Sequence, residues 1–159
     1  MLFEHIEQAR VLDLFAGSGA LGLEALSRGA KSAVFCDKAK PALLALRRNI
    51  DMLRIKSETE VISGDWSTAL QKLRDENRQF DLIFIDPPYN FNPAPILEQI
   101  QMFKTLGKHG IIILEHGSEK EITTIAGFRI SKERQYKETV LTFLEWEDSH
   151  EDGALSGQL

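Results

Sequence analysis

Apolar residues in this chain alternate between a period near two and a period near 3.6, the pattern of an α/β fold. "ARVLDLF" reads as a strand and "GALGLEALSRGA" as a helix that stops near Arg28 and Gly29. "SAVFCD" is a second strand leading into "KAKPALLALRRNIDML", where Pro41 suits a first helical turn. "TEVISGD" and "WSTALQKLRDEN" form the third strand–helix pair. "FDLIFID" is nearly all apolar, as a central parallel strand buried on both faces requires. A helix around "APILEQIQMFKTL" follows, and then the buried-strand pattern repeats in "GIIILEH". "FRISKERQYKETVLTFLEWE" differs: two strands with a charged connection predict an antiparallel hairpin closing one sheet edge.

The length of 159 residues fits one domain, placed at 1–147, and is ample for a continuous core. Residues 148–159, "DSHEDGALSGQL", carry too little apolar surface to hold themselves in place and are read as a disordered tail. No apolar run reaches the length of a membrane span, and Met1–Arg10 lacks the shape of a signal peptide. The single cysteine, Cys36, cannot form an internal disulfide, which suits a reducing cytoplasm. The four histidines have no metal-ligand spacing, so no metal is expected. The net charge of −5 does not by itself suggest a nucleic-acid partner. Lys38, Lys40, Arg47 and Arg48 read first as a solvated helix face.

Candidate chemistry concentrates at strand ends. "VLDLFAGSGALG" places Gly17, Gly19 and Gly22 between a strand and a helix. There a tight turn lets a ligand approach the backbone and the free N–H groups of the helix start. Asp37 closes the next strand about twenty residues on, where an acid can bind ribose hydroxyls. The spacing also matches the dinucleotide fingerprint, so NAD is an alternative. Against NAD stands Asp13, inside the first strand, where dinucleotide enzymes prefer apolar residues. An acid there can attract a cationic group, such as the ammonium of a methionine moiety. Asp65 can accept from an adenine amine, or simply cap the following helix. Trp66 can flank the ring, or belong to the core. Parallel topology should bring Asp13, Gly17, Asp37, Asp65 and Asp86 to one sheet edge.

"DPPY" ends the fourth strand. Methylating an exocyclic base amine is hard because the nitrogen lone pair is delocalised into the ring. The Asp86 carboxylate and the Pro87 carbonyl can bind the two amine hydrogens and free that lone pair for in-line attack. Pro87 and Pro88 have fixed φ and no N–H, so the turn is stiff and presents carbonyls. Tyr89 offers an aromatic face for an unstacked base.

"LDLFAGSGALGLEALSRGA" together with "FDLIFIDPPY" resembles the S-adenosylmethionine-dependent amino-methyltransferases, and more narrowly the bacterial 16S rRNA guanine-N2 methyltransferases. The resemblance runs from about Val11 to about Glu145. It implies a Rossmann-like class I methyltransferase fold: a seven-stranded, mostly parallel sheet with an antiparallel last strand and helices on both faces. It further implies that Asp13, Phe15, Gly17 and Gly19 line the methionine end of the cofactor and that Asp37 takes the ribose position. Asp65 falls on the adenine side, and Asp86 to Tyr89 form the catalytic loop. The implied partner is 16S rRNA within the small ribosomal subunit or an assembly intermediate. Family members carry a basic segment with an R-P-T type motif before the first strand, and "MLFEHIEQ" reads as the end of its last helix. The alternatives are a DNA adenine or cytosine amino-methyltransferase and a non-catalytic nucleotide-binding module.

Overall fold

The computed structural model describes residues 6–120, 122 and 127–147. Its elements run β1 (Arg10–Asp13), α1 (Ala20–Ser27), β2 (Ser32–Asp37), α2 (Lys40–Leu53), β3 (Thr59–Ser63) and α3 (Trp66–Asp75). They continue with β4 (Phe80–Ile85), α4 (Ala94–Phe103), β5 (Leu106–Gly117), β6 (Phe128–Tyr136) and β7 (Thr139–Trp146). The strands form one sheet of order β3-β2-β1-β4-β5-β7-β6. β1 to β5 pair in parallel, while β7 runs antiparallel to both β5 and β6. Six strands therefore share a direction and the last one opposes them, as expected from the resemblance.

Strand periodicity sorts the core onto two faces. Val11, Phe35, Leu82 and Phe84 pack with Ala25 of α1 and Leu46 and Ile50 of α2. Leu12, Leu14, Val34, Ile83 and Ile85 pack with Leu70 and Leu73 of α3 and Ile96, Leu97 and Ile100 of α4. β4 is buried on both sides, which is why its sequence is a continuous apolar run. The helices start where local chemistry allows: Pro41 lies in the first turn of α2, and Asp65 caps α3.

Two boundaries depart from the sequence reading. β5 begins at Leu106, four residues before "GIIILEH", because Leu106 pairs with Phe80 and the Trp146 indole N–H points at the Leu106 and Gly107 carbonyls (3.1 and 3.2 Å). Residues 6–8 of "MLFEHIEQ" form a turn, with the Ala9 N–H donating to Ile6 at 2.9 Å, while residues 1–5 lie outside the described residues. The tail reading for 148–159 also falls outside them. The hairpin agrees with expectation: β6 and β7 meet at Lys137 and Glu138, with Lys137 at φ 56°. The Trp146 ring stacks on Phe128 at 4.6 Å. No described helix is long and apolar enough to cross a membrane.

The contact between α1 and the sheet depends on Gly22. A Cβ there would overlap the ring of fully buried Phe35. Gly22→Ala should therefore lower stability by about 1–3 kcal/mol, the usual cost of overpacking, read as a lower urea midpoint at unchanged slope.

Candidate active site

The chain leaves the far edge at β3 and re-enters the sheet at β4, beside β1, so strand order reverses between β1 and β4. A crevice opens at the carboxyl ends of strands at such a switch point. The residues after β1 remain stitched to both neighbours: the Leu14 N–H donates to Phe84 at 3.2 Å and the Ala16 N–H to Cys36 at 2.9 Å. Gly17 then turns with φ 57°, and its N–H donates to Asp37 Oδ2 at 2.8 Å. The other oxygen of Asp37 accepts from the Ala39 N–H at 2.9 Å. Each carboxylate oxygen keeps a lone pair for a ligand hydroxyl.

The two turn glycines do different work. At Gly17 an added Cβ would meet nothing within 4 Å, so that backbone borders open space. Gly19, at φ 93°, caps α1, and a Cβ there would come within 2.5 Å of Leu46 Cδ1. Gly17 belongs to a cavity wall, whereas Gly19 is held by packing and does not border the cavity.

That cavity, of about 560 Å³, is lined by Phe15, Gly17, Asp37, Asp65, Trp66, Asp86, Pro87 and Pro88. Asp65 also caps α3, its Oδ1 accepting from the Thr68 N–H at 2.8 Å, and that bond holds its carboxyl below the usual range. Asp65 thus caps the helix and also borders the cavity. Trp66 is likewise shared, packed against the α3 and α4 core while facing the cavity.

Asp13 lies beneath this wall and is not part of it. It shares the strand face of Val11, toward α1, and is 1% exposed. Its Oδ2 accepts from the Gly22 N–H at 3.3 Å, and Oδ1 has no partner among the described residues. Burial pushes this carboxyl up to about 7 against the pull of the Gly22 hydrogen bond, and the Asp86 and Asp37 charges raise it further. A buried acid with an orphaned oxygen, beside a glycine turn that borders open space, is a fitting environment for a cationic ligand group.

Asp86, Pro87, Pro88 and Phe91 form a wall shared with a second cavity of about 270 Å³. The wall is stiffened locally. The Phe91 N–H donates to the Pro88 carbonyl at 3.1 Å, Asn90 turns at φ 67°, and the Phe91 ring meets Phe15 edge-on at 5.7 Å. No described residue donates to the Pro87 carbonyl. Tyr89 borders the second cavity, 77% exposed, with its hydroxyl donating to Glu119 Oε1 at 2.5 Å. That bond pushes the phenol pKa up.

Three residues of this second cavity were not singled out from the sequence. Glu115 stands beside Asp86 because Ile85 and Leu114 are in register on β4 and β5. Hydrogen bonding with Asp86, then burial and repulsion, pushes the Glu115 carboxyl up to about 7. His116 is fixed by Nδ1–H donating to Gly117 O at 3.0 Å and by the Thr142 hydroxyl at Nε2, 2.6 Å away. Phe91 joins the two cavities. The signal for Glu115 was present, since it too is an acid ending a buried strand, like Asp37 and Asp86.

Comparison with known proteins places this architecture. The model of a family described as "Conserved hypothetical protein 95" matches residues 1–145. The chain belongs to this family. Ribosomal RNA small subunit methyltransferase D of Haemophilus influenzae is 33% identical over 134 residues, covering 84% of this chain and 69% of that protein. The protein of the same name from Buchnera aphidicola is also 33% identical over 134 residues, with the same shares covered. A solved structure, a conserved hypothetical protein of Streptococcus pyogenes, superposes with a TM-score of 0.82 at 31% identity, covering 89% of this chain and 88% of that one.

Proposed function

We propose that this chain is an S-adenosylmethionine-dependent methyltransferase that modifies the exocyclic N2 amine of a guanine in 16S rRNA of the small ribosomal subunit, within the cytoplasm. The observation that carries the reading is the pair of adjoining cavities divided by Asp86, Pro87 and Pro88. One side suits a nucleoside with a charged tail, and the other a single base. The relatives named ribosomal RNA small subunit methyltransferase D support the RNA assignment.

The larger cavity fits the cofactor. Asp37 would hold the ribose hydroxyls, Asp65 and Trp66 the adenine, and Gly17 would let the ligand lie against the backbone. Asp13, beneath Phe15, would balance the ammonium group. S-adenosylmethionine supplies a methyl group on a sulfonium and leaves as a thioether. On the other side of the wall, the Asp86 carboxylate and the Pro87 carbonyl accept hydrogen bonds from the two hydrogens of the target amine, and after transfer one of those hydrogens leaves as a proton by way of Asp86. Holding that nitrogen tetrahedral localises its lone pair, and the rigid proline turn keeps it in place at small entropic cost. Tyr89, tethered by Glu119, provides a face for the base.

Incubating unmodified small ribosomal subunits with the protein and radiolabelled S-adenosylmethionine tests the reading. Label is expected in N2-methylguanine of 16S rRNA. Label in duplex DNA and none in the subunits would replace it with a DNA methyltransferase.

A further inference from the structure

The Asp86 carboxylate and the Pro87 carbonyl account for an amine with two hydrogens, but guanine, adenine and cytosine all carry one. The three differ at the ring nitrogen next to it. In guanine N1 bears a hydrogen and donates, whereas N1 of adenine and N3 of cytosine carry a lone pair and accept. A site that selects guanine therefore needs a second acceptor directly beside the amine acceptors.

Glu115 occupies that place. It follows Leu114 as Asp86 follows Ile85, and these two are register partners on adjacent parallel strands. Both acids border the 270 Å³ cavity on the base side of the wall, and they are close enough to share a hydrogen bond. We propose that Glu115 is the residue that selects guanine: its carboxylate accepts the ring N1–H while Asp86 and the Pro87 carbonyl accept the neighbouring N2 amine. The proposal rests on the methyltransferase reading above and adds to it the residue that discriminates between bases.

In the free protein Glu115 stands against Asp86 at the border of the cavity, in the position that a guanine N1–H would meet. A bound guanine presents two donors to two carboxylates, and a proton shared between them leaves to solvent. Adenine or cytosine would instead turn a lone pair toward the ionised Glu115, leaving a desolvated acceptor facing an acceptor, so discrimination holds above about pH 7 and relaxes below it, where the Glu115 O–H can donate to that lone pair. The other titratable groups bordering this cavity are Tyr89, His116, Glu119, Lys120 and Glu138. Tyr89 and Glu119 are committed to each other, and His116 to Gly117 and Thr142. Glu115 is thus the acid next to Asp86 that can change partners.

The test compares wild type with Glu115→Gln, a substitution of the same shape, on unmodified small ribosomal subunits with radiolabelled S-adenosylmethionine. Products are resolved as nucleosides across a pH range spanning about 7. Glu115→Gln is expected to lower kcat/KM for N2-methylguanine formation roughly 10- to 100-fold, the loss of one charge-assisted hydrogen bond. Calorimetric affinity for S-adenosylmethionine should stay as in wild type. Wild-type kcat/KM should rise with pH as Glu115 ionises, and the variant should lack that rise. A variant with the wild-type rate and pH profile overturns the proposal while leaving the methyltransferase reading intact. A variant that loses cofactor affinity as well assigns Glu115 to the fold and also overturns it. If the wild-type product is N6-methyladenine or N4-methylcytosine, the guanine assignment and this proposal fall together.

Discussion

Asp86→Ala is expected to leave affinity for S-adenosylmethionine near the wild-type value and to lower methyl transfer roughly 10²- to 10³-fold, the scale for removing one preorganised group at a reacting centre. The two halves of this expectation come from different walls. Asp86 borders both cavities, but Asp37, Asp65, Trp66 and Gly17 line only the larger one and are untouched by the substitution, so most cofactor contacts survive. The amine, by contrast, loses the carboxylate that binds one hydrogen and that faces the positive charge developing on nitrogen. Asp86→Asn keeps an oxygen acceptor without the charge and should fall between wild type and alanine. The substitution should also return the Glu115 carboxyl toward its usual range, because Asp86 is the first cause of its displacement. Single-turnover label transfer alongside calorimetry separates the effects. Unchanged turnover in Asp86→Ala would remove Asp86 from the chemistry, and a parallel loss of cofactor binding would move it to the cofactor site.

Asp13→Asn should make the ligand-free protein more stable above pH 7 and weaken its hold on the cofactor. The Asp13 carboxyl is raised from 3.8 to about 7 by burial. Between those two values the folded protein keeps a proton that the unfolded chain has released. Stability is therefore highest below about pH 4 as far as this group is concerned, declines as pH rises, and is lost above about 7. The rise corresponds to about 4 kcal/mol at most, and relaxation around the charge leaves an expectation of about 1–2 kcal/mol. Glu115 contributes in the same direction, with less weight because solvent screens it. Thermal melts from pH 5 to pH 8 should show a decline in wild type that Asp13→Asn largely flattens. If a ligand ammonium neutralises Asp13, Asp13→Asn should also bind S-adenosylmethionine roughly tenfold or more weakly. Wild-type affinity in that variant would sever Asp13 from the cofactor, and an unaltered pH dependence would show that its burial is not what destabilises the folded state.

Much of this site could be read from local sequence, for a physical reason. Strand and helix periods are properties of neighbouring residues, so β2 and β4 were delimited almost to the residue. A glycine turn needs only its own backbone angles, and an acid that ends an apolar run marks a strand end that needs a charge. The DPPY turn is stiff because of its own two prolines. These features are local, and the sequence by itself determined them.

What the sequence left open depends on which strand lies beside which. Glu115 is an unremarkable strand-end acid until β5 pairs with β4 and sets it against Asp86. Asp13 reads as an acid near the cavity, and only the assembled fold shows that it lies on the strand face toward α1, buried beneath the wall. β5 gains four residues from pairing with β4, and its polar Lys108 and His109 carry no periodic signal for that. The order β4-β5-β7-β6, with the last strand inserted ahead of its hairpin partner, is a choice among pairings whose local sequences would fit several neighbours. Side-chain alternation fixes the face on which a residue lies, but contact between residues far apart in the chain is decided only when the sheet assembles. In that step Asp86 acquired its partner, and a motif for amines in general became a candidate reader of guanine.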